Sequence, residues 1–142
     1  MATGRALIQF RLDPRTGVPA YRQLVDQVTQ AIRLGLVGPG DQLPSVREVV
    51  TQISINPNTV HRAYREMEHL GLVEGRPGLG TFVAESAAPA VTPQRQTALL
   101  AEVGRWVDKA RRAGVDDEGI RALLAESMRD RDAEAKEPDD GD

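Results

Sequence analysis

The sequence predicts a mostly helical α+β fold: three helices and a β-hairpin, then a smaller two-helix unit. Three observations carry this expectation. Apolar residues recur at helical spacing in separate stretches, each with a recognisable start or stop. Two short β-type runs, 72–74 and 81–83, flank the turn-rich segment 75–80. Residues 85–93 have linker composition and divide this part from the last two helices.

The size fits one ordinary domain, or a small domain with an appendage: 142 residues and 15.5 kDa. Aromatics are only 4% of the chain, so the core must be aliphatic. There is no cysteine, which excludes disulfides, thiol chemistry and cysteine-ligated zinc, and suits a reducing compartment. No apolar run is long enough to span a membrane, and no basic-then-apolar leader opens the chain. A cytoplasmic protein without membrane contact is expected. The net charge of −3 argues against a nucleic-acid partner only until the chain is divided. Residues 1–85 hold nine arginines against eight acidic groups, whereas 86–142 hold nine basic and thirteen acidic groups. The acidity lies in the C-terminal part.

In chain order, residues 7–12 alternate with a period near two and suggest a short strand, followed by turn material at 13–17; together they make an N-terminal extension, 1–16. A first helix begins near Pro19, with Tyr21, Leu24, Val25, Val28, Ala31 and Ile32 on one face. Gly35 and the run Gly38-Pro39-Gly40-Asp41 end it. Ser45 and Glu48 have capping-box spacing and start a short second helix whose Val46, Val49 and Val50 face inward. The segment 53–55 reads as a turn. Asn56 as N-cap and Pro57 at the first helical position start a third helix, which Gly71 stops. Its inner face is Val60, Ala63, Tyr64 and Met67; its outer face carries Asn58, His61, Arg62 and Arg65. After the linker, a helix from about Pro93 to Ala113 carries the stripe Leu99, Val103, Trp106, Val107 and Ala110. Asp116 is a candidate N-cap for the last helix, with the stripe Ile120, Leu123, Leu124 and Met128. Residues 131–142, charged and without apolar groups beyond alanine, are expected to form a disordered acidic tail.

Two helices joined by a sharp turn, followed by a hairpin, have the order of a winged helix-turn-helix. The second helix of that pair fits the DNA major groove. The polar tip that begins at Asn56 exposes Asn58, Thr59, His61 and Arg62, residue types able to read base edges, at a helix N-terminus that favours phosphate. Asn58 and Thr59 also suit a purely helix-starting role. Arg47, opposite the valine face of the second helix, could reach the same groove. In the hairpin tip, Arg76 and glycine N–H groups suit a phosphate backbone or minor groove.

Three blocks then resemble the GntR family of bacterial transcription regulators. They are Pro39-Gly40-Asp41-Gln42-Leu43-Pro44-Ser45-Val46-Arg47-Glu48, Ile55-Asn56-Pro57-Asn58-Thr59-Val60-His61-Arg62-Ala63-Tyr64-Arg65-Glu66-Met67-Glu68, and Gly78-Leu79-Gly80-Thr81-Phe82-Val83. They fall in the family's order and spacing within 17–84, and the short C-terminal part is similar to the YtrA-type subfamily. The resemblance implies operator binding as a homodimer. It also implies base or phosphate contacts from Ser45, Arg47, Asn58, Thr59, His61, Arg62 and the wing glycines Gly78 and Gly80. About 50 residues follow the linker, too few for the ligand-sensing or aminotransferase-like domain of the larger relatives, so none is expected. Two positions depart from the pattern: Ser54 stands where a glycine is usual, and Val50 where a small alanine is usual.

A helix pair on a flexible linker cannot bury both apolar faces alone, so residues 94–130 are expected to dimerise through the two stripes. The leading expectation is a dimeric repressor of its own operon, with a transporter among its targets by family habit. A winged-helix module that docks a protein is the alternative. Bundle interiors host small ligands, so the space between the C-terminal helices of the dimer is where an effector would sit, although no residue set marks a site. His61 and His69 lack partners at metal-ligand spacing. The 75–80 glycines lack the Lys-Ser/Thr of a phosphate loop. Capping and the helix dipole account for Asp116, Asp117 and Glu118. No nucleophile–base pair or cofactor motif points to an enzyme, a metal or a cofactor.

Overall fold

The computed structural model describes residues 8–136. The described residues form two compact units, divided between Gln96 and Thr97.

In the first unit, α1 (Ala20–Arg33), α2 (Val46–Ile53) and α3 (Pro57–His69) pack around an aliphatic core. Leu24, Val28, Val49, Val60, Ala63 and Met67 are completely buried, and no charged or polar residue shares the interior among those described. The stripes read from 3.6-residue spacing are therefore the faces that pack, except that Tyr21, Val46 and Val50 lie at the rim, half-buried. Local caps set the helix ends. The Ser45 hydroxyl accepts from the Glu48 N–H at 3.1 Å, and the Asn56 side chain accepts from the Asn58 N–H at 2.8 Å.

The turn from α2 to α3 hinges on Ser54, which is left-handed at φ 51°, ψ 49°. It is the only non-glycine with positive φ among the described residues. The buried Ile55 then anchors the turn in the core. A side chain in that conformation is strained where glycine is not. We expect Ser54→Gly to stabilise the domain by about 0.5–1 kcal/mol, seen as a higher thermal midpoint. A lower midpoint would mean that chain entropy outweighs the strain.

β1 (Val73–Arg76) pairs antiparallel with β2 (Gly80–Val83), in register Val73↔Val83 through Arg76↔Gly80. The strands run further into the expected tip than β propensity suggests. A tight turn closes them: Leu79 N–H donates to the Arg76 carbonyl at 3.0 Å. Pro77 and the positive-φ Gly78 hold the positions that suit each of them in a type II turn. Residues 40–43 line the far edge of β2. Gly40 N–H donates to the Val83 carbonyl, Val83 N–H to Asp41, and Leu43 N–H to Thr81, at 2.8–2.9 Å. Gly40 and Asp41, part of the run that ends α1, thus also support the wing.

Three expectations are corrected. Residues 8–12 of the expected 7–12 strand form no strand, and residue 7 lies outside the described residues. The burial still alternates, with Ile8 and Phe10 buried, but glutamine side chains replace a neighbouring strand. Gln27 accepts from Arg11 N–H at 2.9 Å and donates to the Arg11 carbonyl at 2.7 Å. Gln23 does the same for Asp13, at 2.8 and 3.0 Å. The segment then closes in a 3-10 turn, Pro14–Thr16. Residues 85–90 of the expected linker 85–93 are tied to the domain: Ala87 is buried, and Ala90 N–H donates to the Arg33 carbonyl at 2.9 Å. Finally, residues 131–136 of the expected disordered tail are helical, and 137–142 lie outside the described residues. Alanine, arginine, glutamate and lysine favour helix without needing a buried face, and Asp132 and Lys136 are spaced for an i,i+4 pair.

The second unit holds the rest of α4 (Pro93–Arg112) and α5 (Asp117–Lys136). Gly114 at φ 91° turns the chain, and Asp116 caps α5 by accepting from Gly119 N–H at 2.8 Å. Burial is confined to this elbow, at Ala110 and Ile120. Trp106 and Val107 are half-buried. Leu99, Val103, Leu123, Leu124 and Met128 are exposed, the last to 67%. No helix among the described residues is long and apolar enough to cross a membrane.

Candidate nucleic-acid interface

The interface is built on α3. With Val60, Ala63, Tyr64 and Met67 turned into the core, the helical period puts Asn58, His61, Arg62 and Arg65 on the opposite, exposed face. Thr59 is half-buried, between the two faces. The Asn56 carbonyl oxygen is committed to its cap, so that residue offers a ligand only its amide N–H groups and the open end of the helix. Ser45 is engaged in the same way on α2, while Arg47 is exposed two residues beyond it.

α2 and α3 are locked together by a long-range bond. The Tyr64 hydroxyl donates to the Pro44 carbonyl at 2.5 Å, immediately before the Ser45 cap. Burial pushes the Tyr64 phenol well above the ordinary tyrosine range, and the Glu48 charge adds to the shift. The ring thus stays a neutral donor at any working pH. Tyr64→Phe should cost about 1–3 kcal/mol in urea unfolding, because the buried Pro44 carbonyl loses its partner. A loss below about 0.5 kcal/mol would show that the carbonyl finds another donor.

Among the described residues, the ion pairs are Arg15–Asp13, Arg22–Asp26, Arg111–Asp117 and Arg129–Glu126, and none involves Arg47, Arg62, Arg65 or Arg76. Two of the four instead stack on rings: Arg62 lies 3.8 Å from the Tyr21 centroid and Arg76 lies 4.4 Å from that of Phe82. At the wing tip, Gly78 faces open space, with no atom within 4 Å of where a Cβ would stand. Gly80, at φ 127°, is tight instead: a Cβ there would meet the Gln42 amide at 2.6 Å. That amide donates to the Leu79 carbonyl at 3.0 Å. On the inner side, Gly75 N–H donates to Glu68 at 3.3 Å, tying the wing to α3. Tyr21, Gln42 and Phe82 had no place in the sequence reading of the site. Tyr21 was visible there only as an apolar-face residue, and its arginine lies 41 positions away. No cluster of three or more metal-ligating side chains occurs among the described residues.

This arrangement can be set against known proteins. Residues 20–83 match the model of the bacterial regulatory proteins of the gntR family. The chain is 36% identical, over 85% of its own length and 93% of the relative's, to the HTH-type transcriptional repressor YtrA of Bacillus subtilis. The chain belongs to the gntR family of bacterial regulatory proteins. As a gntR-family member of YtrA type, it is a DNA-binding regulator of transcription and not an enzyme. Two solved structures are similar over most of the chain. One is a transcriptional antiterminator from Listeria monocytogenes (TM-score 0.52, 27% identity, covering 87% of this chain and 92% of that one). The other is YtrA from Sulfolobus acidocaldarius, a GntR-family transcription factor (TM-score 0.51, 26% identity, covering 71% and 99%). The winged helix-turn-helix expected from the three sequence blocks is the family's DNA-binding domain.

Proposed function

We propose that this chain is a cytoplasmic transcriptional repressor that binds a two-fold symmetric operator as a homodimer. The observation that carries the reading is the row Asn58, His61, Arg62 and Arg65, exposed on the helix after the turn and in no ion pair among the described residues. In the major groove, an arginine rim fits guanine O6 and N7, and an asparagine fits adenine N6 and N7. Arg62 and Arg47 take the base-reading role, with Asn58, Thr59 and His61 beside them. Arg65, Ser45 and the N–H groups at Asn56 position the helix on phosphates. Arg76, Gly78 and Gly80 bring the wing against the backbone or minor groove.

The second unit supplies the symmetry. Leu99, Val103, Leu123, Leu124 and Met128 are left uncovered by their own chain. Pairing them with the same residues of a second copy, with Trp106 and Val107 alongside, removes apolar surface from water. Ala110 and Ile120 then serve the elbow within each chain. Two reading helices so paired meet half-sites one helical turn apart, or a multiple of it. Repression is the reading because a relative that covers 85% of the chain is named a repressor. Its targets are its own operon and a transporter.

The test is a mobility shift with the DNA upstream of the chain's own gene, over a salt series, with the mass of the complex measured. The expected result is a complex of two chains per site that unrelated DNA does not displace and that weakens steeply with salt. The absence of any shift, with a partner protein retained by the folded chain, would favour a protein-docking module and contradict this reading.

A further inference from the structure

Aromatic residues are scarce: two tyrosines, two phenylalanines and one tryptophan. Two of these five lie beneath arginines that face outward from the reading head. Tyr21 is the more informative case, because its ring and its arginine belong to different helices. Leu24, Val25 and Val28 fill the interior along α1, while Tyr21 sits half-buried at the edge of the core. Arg62 of α3 lies over this ring at 3.8 Å and has no carboxylate among the described residues to hold it elsewhere. A guanidinium is flat, with five N–H donors around its rim. Stacking covers a face and leaves rim donors for a base edge. It also removes, before any DNA arrives, rotamer freedom that a loose arginine loses on binding.

We propose that Tyr21 is a positioning residue for base recognition: its ring holds the Arg62 guanidinium in the attitude in which it meets a guanine edge. The first helix thereby sets operator specificity without itself reading a base. The inference rests on the proposed reading role of α3. Phe82 offers Arg76 a similar platform on the wing, where the expected contact is with backbone, and so serves as a control.

The experiment is a double-mutant cycle. Dissociation constants of Tyr21→Leu, Arg62→Ala and the double variant are measured on the operator and on operators with each half-site base pair replaced in turn. Arg62→Ala is expected to abolish discrimination at one base pair. Tyr21→Leu should weaken discrimination at that base pair about three- to tenfold, leave the others unchanged, and have no further effect once Arg62 is gone. Tyr21→Phe, which keeps the ring, should stay within about twofold of the native protein. Phe82→Leu should leave that preference intact. Tyr21→Met provides a second ring-less variant if leucine unfolds the domain, and thermal unfolding identifies which variants remain folded. Equal losses from Tyr21→Leu with and without Arg62, or a loss spread over other base pairs, would overturn the proposal while leaving the role of α3 intact. Unchanged discrimination in Arg62→Ala would overturn the role of α3, and the positioning role with it.

Discussion

Arg62→Ala should weaken operator binding by about 1–3 kcal/mol at fixed salt, and Arg47→Ala should do the same, with the unfolding midpoint of the free protein unchanged. The two effects separate because both side chains are exposed and neither holds an ion pair among the described residues. Removing them takes nothing from the core. Arg62 gives up only its stack on Tyr21, a rim contact. On DNA each loses charge-assisted bonds formed in a largely desolvated groove, where such bonds are strong. Titration of both variants against the same operator checks this. Affinities equal to that of the native protein would show that the exposed face of α3 does not read the DNA. A fall in the midpoint would show that the arginines brace the fold instead.

Met67→Ala should do the reverse. Met67 is completely buried on the inner face of the same helix, in the core that joins α1, α2 and α3. Truncation leaves a cavity and should cost about 2–5 kcal/mol. Folded domains commonly hold only about 5–15 kcal/mol in reserve, so a large part of the stability goes. Urea unfolding should show a lower midpoint with an unchanged slope. The fraction that remains folded should bind the operator with native base preference. A cost below about 1 kcal/mol would mean that the core closes around the gap, contrary to the packing described here. One helix thus separates into a face that binds and a face that stabilises.

The helices were legible in the sequence because their signals are local. Asn56 followed by Pro57, Ser45 three residues before Glu48, and Asp116 before an apolar stripe each act within one turn. The winged helix-turn-helix followed from their order and from the three blocks that resemble the family. Long-range pairings were not legible. Nothing near Gln23 and Gln27 announces that their amides complete the backbone of Arg11 and Asp13, turning an expected strand into an irregular segment. Gly40 and Asp41 read as part of a helix stop, because the β2 edge that they line lies some forty positions on. Residues 131–136 were misjudged because a buried stripe was required of a helix whose residues favour that state while exposed. At the interface, the exposed residue types were legible from periodicity. The rings beneath Arg62 and Arg76 were not, because an apolar position gives no sign of what crosses its outer side.

The most direct measurement is selection of bound sites from random duplex DNA by the purified protein and, in parallel, by Arg62→Ala. The native chain should enrich a two-fold symmetric motif whose half-site centres lie about 10–10.5 base pairs apart, or a multiple of that. The variant should lose the preference at one base pair of each half-site and keep the rest. No enriched motif, or one unaltered by the variant, would contradict the claim that the exposed face of α3 reads the operator.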